Sequence, residues 1–188
     1  MYYESAETVL QKALIDLLQK KDIERISLKE ILEYSNVSKT TFYRFYDNKF
    51  DLMNSCYKSA IDKYLAKLKY DNWDDILIAQ FRFFDSNRKF MLNGFKGQGR
   101  ESLKRFIFEY SSDFYRKEMQ IRKGVESLTP DEENAIMFNA GGSCELLEAW
   151  LINPKKFDYT VDEMAMLHYK LMPDMMRCWF PQRDGQND

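Results

Sequence analysis

Between Ser38 and Tyr46 the sequence reads Ser-Lys-Thr-Thr-Phe-Tyr-Arg-Phe-Tyr, and wound as a helix it separates into two faces. At about 100° per residue, Lys39, Thr40, Tyr43 and Arg44 fall within one arc. Phe42 and Phe45 fall on the opposite side, within reach of Leu32 and Val37. Guanidinium and ammonium groups can donate to guanine edges, while hydroxyls and phenols suit phosphate oxygens. The chemistry this face could do is recognition of a nucleic acid rather than bond making.

No other constellation offers comparable chemistry. His168 is the single histidine, so neither a His-based metal cluster nor a standard Ser-His-Asp triad can be assembled. Cys56, Cys144 and Cys178 are odd in number and widely spaced, without a C-x-x-C pair. That argues against a disulfide framework or zinc site and fits a reducing compartment. Gly94, Gly97 and Gly99 follow the order G-x-x-G-x-G after a helix and lack a Gly-Lys-Ser/Thr sequence, so they predict a flexible connector rather than a phosphate loop. The clusters Asp74-Asp75 and Asp131-Glu132-Glu133 sit in first helical turns, where negative charge suits the dipole. No enzymatic activity, no cofactor and no metal are expected.

The elements that must position the Lys39–Arg44 arc are helical. The 188 residues contain only seven glycines and four prolines, none of them in the first 93 positions. A turn-dense all-β chain needs such signals every ~8–12 residues. Ala6, Val9, Leu10, Ala13, Leu14, Leu17 and Leu18 follow the i, i+3, i+4, i+7 rule, with Ser5 as cap. Ser27-Leu28-Lys29-Glu30 is a capping box that opens a second, short helix. After a break at 34–37, Ser38 caps a third helix, expected over Lys39 to Tyr46, and Lys49 begins a long one to about Lys69. Further helices are expected over 72–86, 88–92, 101–123 and from Thr129-Pro130-Asp131-Glu132 to Ile152. Thr160-Val161-Asp162-Glu163 opens a last one to about Phe180, kinked at Pro173. The fold class is thus all-α.

Net charge is −2, which names no polyanionic partner, although residues 20–70 carry 11 basic against 7 acidic side chains. The start MYYESAETVL lacks a basic, then apolar, leader, and no run approaches the ~18 apolar residues of a membrane span. A cytoplasmic location is expected.

Two short capped helices joined by a tight turn form a helix-turn-helix, and here the identities match a known pattern. Ile26-Ser27-Leu28-Lys29-Glu30-Ile31, then Asn36-Val37-Ser38-Lys39-Thr40-Thr41-Phe42-Tyr43-Arg44-Phe45-Tyr46-Asp47-Asn48-Lys49-Phe50-Asp51-Leu52, resembles the TetR family of bacterial transcriptional regulators over roughly residues 5–60. Two positions depart from it: Asn36 replaces a small residue, and Phe45-Tyr46 inverts the usual Tyr-Phe order. The resemblance implies a recognition helix over Ser38–Tyr46, with Lys39, Thr40 and Arg44 as base-edge contacts. It implies phosphate contacts at Ser27, Thr41, Tyr43 and Lys49. It further implies a helix-turn-helix domain over 1–47 and a helical dimerisation and effector-binding domain over 48–188.

The stretch Phe138-Asn139-Ala140-Gly141-Gly142 through Leu147-Glu148-Ala149-Trp150-Leu151, followed by the capped Val161–Met172 helix, looks like the last two helices of one subgroup of the family, which the resemblance implies pack against their counterparts as a dimeric four-helix bundle. Ala140, Gly141 and Gly142 would permit close approach across a homodimer, or within one subunit. An effector pocket, for a small molecule or a protein-borne signal, is expected among Phe81, Phe84, Met91 and Phe106. The implied partner is a near-palindromic double-stranded DNA operator, with repression as the first expectation and activation as the second. An adaptor of the same fold that works through protein contacts is the alternative, and the basic face argues against it.

Overall fold

Residues 4–69 and 72–179 are described by a computed structural model. Among them every regular element is a helix: α1 (Ala6–Leu18), a 3-10 turn (Ile23–Arg25), α2 (Leu28–Ser35), α3 (Lys39–Phe42), α4 (Lys49–Leu65), α5 (Trp73–Ser86), α6 (Arg88–Gly94), α7 (Leu103–Lys123), α8 (Pro130–Ile152), α9 (Pro154–Phe157), α10 (Val161–Leu171) and α11 (Asp174–Arg177). Among the described residues no helix is long and apolar enough to cross a membrane. The chain divides into two compact units, residues 1–64 with 87–106, and residues 65–86 with 107–188.

In the first unit, α1 buries Leu10, Leu14, Leu17 and Leu18, and α4 buries Leu52, Met53, Cys56, Tyr57 and Ile61. The apolar surface of α4 is wider than one stripe, and the chain returns to cover it. Asn93 donates to the carbonyl of Leu18 at 2.7 Å, and Asn54 donates to the carbonyl of Glu101 at 3.1 Å. Gly94 is part of that cover: a Cβ built on it would lie 2.6 Å from Leu103 Cδ2 and 3.3 Å from the Met53 sulfur. Gly97 is buried as well, whereas Gly99 (φ 90°) is exposed with open space around it, so the first two glycines of the expected flexible connector are packed and the third is not. The compact unit therefore continues well beyond residue 47, the expected boundary, and takes in a second piece of chain.

Local capping positions α2 and α3. Ser27 Oγ accepts from Glu30 N–H at 3.2 Å, but the Glu30 carboxylate pairs with Lys21 at 2.7 Å, so the expected box forms only half-way. Asn36 ends α2 in the left-handed region (φ 52°), which asparagine tolerates better than most residues. Ser38 Oγ then accepts from Thr41 N–H at 3.1 Å and starts α3. That helix is shorter than expected. At Arg44 and Phe45 the bonds tighten to i→i−3, Arg44 to Thr41 and Phe45 to Phe42, and residues 43–45 are turns.

In the second unit, Thr129 and Thr160 form complete capping boxes with Glu132 and Glu163, and Pro130 sits in the first turn of α8. The core is built from Leu77, Phe81 and Phe84 of α5, Tyr115 of α7, Leu147 and Trp150 of α8, and Met164 and Tyr169 of α10. The expected kink at Pro173 is a break. Met172 is extended (ψ 136°), as a residue before proline prefers, and α11 begins beyond it. Phe180, the expected end of that helix, lies outside the described residues.

Candidate nucleic-acid interface

Two side chains anchor the short α3 and its following turns. Phe42 is fully buried, and Tyr46 is 5% exposed with its ring centroid 5.8 Å from that of Phe42. The Tyr46 hydroxyl accepts from Gln11 Nε2 at 3.2 Å, and burial pushes this phenol up from its ordinary pKa. Phe45, expected to face inward, is 43% exposed. The inverted Phe-Tyr order explains the exchange, because the inward ring at 46 brings a hydroxyl that Gln11 satisfies. A buried polar tip needs such a partner.

The opposite arc faces solvent. Lys39, Thr40, Tyr43 and Arg44 are all exposed, and the Lys39 ammonium lies 5.9 Å from the centre of the Tyr43 ring. No hydrogen bond or ion pair occupies the side chains of Thr40 and Arg44 among the described residues. Their donors are free for an outside partner. Thr41 is half-buried with its hydroxyl 2.8 Å from Ser38 Oγ, and Ser27 is exposed at the start of α2. Lys49 stands apart from this set. Its ammonium donates to the carbonyls of Ile23 (2.8 Å), Glu24 (3.2 Å) and Ile26 (2.9 Å), so its donors are committed inside the first unit.

The residues expected to line an effector pocket are divided between the two units. Met91 is fully buried in the first unit, where Phe106 meets Tyr57 edge-on at 6.1 Å. Phe81 and Phe84 belong to the second unit and flank a cavity of about 20 Å³, bordered also by Tyr115, Ser143, Leu147 and His168. Such a space holds about one water molecule. Sequence reasoning set His168 aside, yet it is buried at this cavity and meets Phe81 edge-on at 5.7 Å. The Ser143 hydroxyl donates to the Asn139 carbonyl at 2.5 Å, which assigns the His168 Nε2–H as donor to Ser143 Oγ at 2.6 Å. Nδ1 is then a buried acceptor with no partner.

Burial lowers the His168 pKa from 6.5 to about 4. The unfolded chain therefore takes up a proton before the folded one does. The stability contributed by neutral His168 is present above pH 6.5 and is lost as pH falls toward 4. Between pH 7 and pH 5 this predicts a loss of about 2 kcal/mol, read by urea unfolding at both pH values. His168→Asn should flatten that difference; an equally steep fall in the variant would assign it to other groups.

Of the three small residues expected at a subunit contact, Ala140 is fully buried in its own core and Gly141 lies 3.8 Å, measured from an added Cβ, from the Phe108 ring. Ala140 thus serves contact within one subunit. Gly142 is exposed with nothing within 4 Å of that position, beside Phe138, which is 75% exposed. Both border a groove of about 430 Å³ along α8 and α10, lined also by Leu146, His168 and Leu171.

Residues 71–174, more than half of the chain, match the family model described as the transcriptional regulator C-terminal region of TetR type. The uncharacterized HTH-type transcriptional regulator YxbF of Bacillus subtilis (strain 168) is 42% identical over 50 residues, 27% of this chain and 13% of YxbF. The HTH-type dhaKLM operon transcriptional activator DhaS of Lactococcus lactis subsp. lactis (strain IL1403) is 24% identical over 85 residues, 45% of this chain and 46% of DhaS. The matched stretches thus span less than half of either relative. Among solved structures, the dihydroxyacetone kinase operon activator DhaS superposes with a TM-score of 0.62 at 17% identity, covering 94% of this chain and 98% of that one. A TetR transcriptional regulator from Rhodococcus sp. RHA1 superposes at 0.61 and 16% identity, covering 89% and 97%. At such identities the superpositions speak for the fold, and the family match for descent: this chain belongs to the TetR family of transcriptional regulators.

Proposed function

We propose that this regulator binds a near-palindromic operator as a homodimer, with Lys39, Thr40 and Arg44 on base edges and Ser27, Thr41 and Tyr43 on phosphates. One observation carries the reading: an anchored helix-turn-helix whose solvent face keeps its lysine, arginine and hydroxyl donors available. Lys49 is left out of the phosphate set because its ammonium is already bonded. Selection of random duplexes against the purified protein tests the reading. It should enrich inverted repeats with half-sites about one helical turn apart, as two-fold symmetry requires. Failure to enrich any sequence would favour the adaptor reading.

The dimer is proposed through α8 and α10. Met137, Phe138 and Leu171 are 55%, 75% and 61% exposed, an apolar set that a second copy would cover. Residues 138, 142 and 146 are one helical turn apart along α8. An antiparallel crossing of two α8 helices at Gly142 would set Phe138 of one protomer against Leu146 of its partner, and the reverse, as an isologous contact must. A Cβ added at Gly142 has no atom of its own chain within 4 Å, and the position is exposed, so Gly142→Arg should leave the monomer folded. It should also fill the groove, so sedimentation is expected to show a monomer. A dimer of unchanged affinity would move the contact off α8.

Repression by operator occupancy is the proposed direction, since it asks nothing of the protein beyond binding. The relative DhaS is named an activator, so a reporter placed behind the selected operator reads the sign. Effector control is placed in the second unit, for a small molecule or a protein signal. A ligand shifts operator affinity only through its differential affinity for two conformations, and the cavity at Phe81 must widen to take anything larger than water.

A further inference from the structure

Lys49 occupies the first turn of α4, where the positive end of the helix dipole disfavours a cation. What offsets this lies across the unit. The carbonyls of Ile23, Glu24 and Ile26, in and just after the 3-10 turn, converge on the Lys49 ammonium; Ile23 O also accepts the turn's own bond from Ile26 N–H at 3.2 Å, and Lys49 adds a second donor there. An ammonium has three hydrogens, and these three bonds use them all. The side chains of Ile23 and Ile26 are fully buried, so the turn has its apolar side in the core and its carbonyls on Lys49. One residue before, Asn48 Nδ2 donates to both Glu101 oxygens at 3.1 Å, and Asn48 Oδ1 accepts from the N–H groups of Phe50 and Asp51. The first turn of α4 is thereby fastened to the returning segment through Asn48 and to the chain between α1 and α2 through Lys49.

That second attachment bears on the interface. Ser27, the cap of α2, follows Ile26 directly, and α2 leads into α3 through the single left-handed residue Asn36. Fixing 23–26 fixes where α2 begins, and with it the direction in which Lys39 and Arg44 point. We infer that Lys49 is a positioning residue for the α2–α3 pair, holding it against α4, and that it does not neutralise a phosphate. The inference rests on the DNA-binding reading above for its functional consequence, though not for its structural one.

The test uses the full chain with Lys49→Met, which keeps the apolar stem, and Lys49→Arg, which keeps the charge. Each is titrated with the selected operator and with a scrambled duplex at several salt concentrations. Lys49→Met should bind the operator about tenfold more weakly, bind the scrambled duplex as before, and keep the wild-type salt slope, because no counterion release depends on this side chain. A uniform fall on both duplexes, with a slope smaller by roughly one per subunit, would overturn the inference in favour of a phosphate contact. Unchanged binding to both would overturn it too. Should Lys49→Met fail to fold, Lys49→Arg decides: a phosphate contact survives the exchange, whereas three carbonyls converging on one nitrogen do not accept a planar guanidinium. Amide hydrogen exchange gives a readout independent of DNA. Residues 27–46 should lose protection in the variant while the middle of α4 keeps it, and equal protection overturns the inference even if the wild type binds no duplex.

Discussion

Alanine at Arg44 is expected to weaken operator binding by about 1–3 kcal/mol per half-site, roughly 5- to 150-fold, and to blur discrimination at the base pair it reads. The side chain is exposed on the arc opposite Phe42, so removing it takes away donors without disturbing the core. Lys39→Ala should act in the same sense, and the double substitution should bring operator affinity close to that for scrambled DNA. A Tyr43 substitution, by contrast, should weaken all sequences alike, because a phenol on a phosphate carries no sequence information. Titration of operator and scrambled duplex with each variant separates the two patterns. If Lys39→Ala together with Arg44→Ala leaves operator binding intact, the interface is elsewhere.

Phe42→Ala should be the most damaging change to the fold of the first unit. The ring is fully buried and meets Tyr43 edge-on at 5.4 Å, and α3 spans only Lys39–Phe42. Truncating a buried phenylalanine typically costs about 3–5 kcal/mol, a large share of the roughly 5–15 kcal/mol that holds a domain together. Here the loss falls on one of the two side chains that fasten the recognition turn. Urea unfolding should show the destabilisation, and operator affinity should fall although no donor has been removed. A loss below about 1 kcal/mol would mean that Tyr46 alone suffices as the anchor.

Features encoded over three or four residues were legible in the sequence. Ser38, Thr129 and Thr160 cap where the cap spacing predicts, because a hydroxyl and the amide three positions on are brought together by local geometry alone. The exposed arc of Lys39, Thr40, Tyr43 and Arg44 followed from the helical period. What the sequence hid depends on distant groups. Whether Phe45 or Tyr46 turns inward is settled by Gln11, 35 positions away. Glu30 leaves its capping box because Lys21 is near. Lys49 looks like any cation on a basic face until the carbonyls of Ile23, Glu24 and Ile26 are placed beside it, and backbone carbonyls have no residue code. Ala140 and Gly142 are both small, yet only their angular positions on α8 decide that one packs inward and the other is exposed.

The first unit is assembled from two separate lengths of chain, with α5 lying between them in sequence. A chimera that transplants the first unit onto another second unit therefore has three junctions, at 64/65, 86/87 and 106/107, rather than one. A single cut after residue 47 discards α4 and the Asn93 and Glu101 contacts, and takes the Asn93 donor from the Leu18 carbonyl and the Lys49 ammonium from the carbonyls of Ile23, Glu24 and Ile26. Recombination at one point would seldom yield a working hybrid. The two units of this chain are expected to be inherited together, and, on the proposed DNA-binding reading, new specificities to arise by point substitution on the Lys39–Arg44 arc rather than by exchange of whole modules.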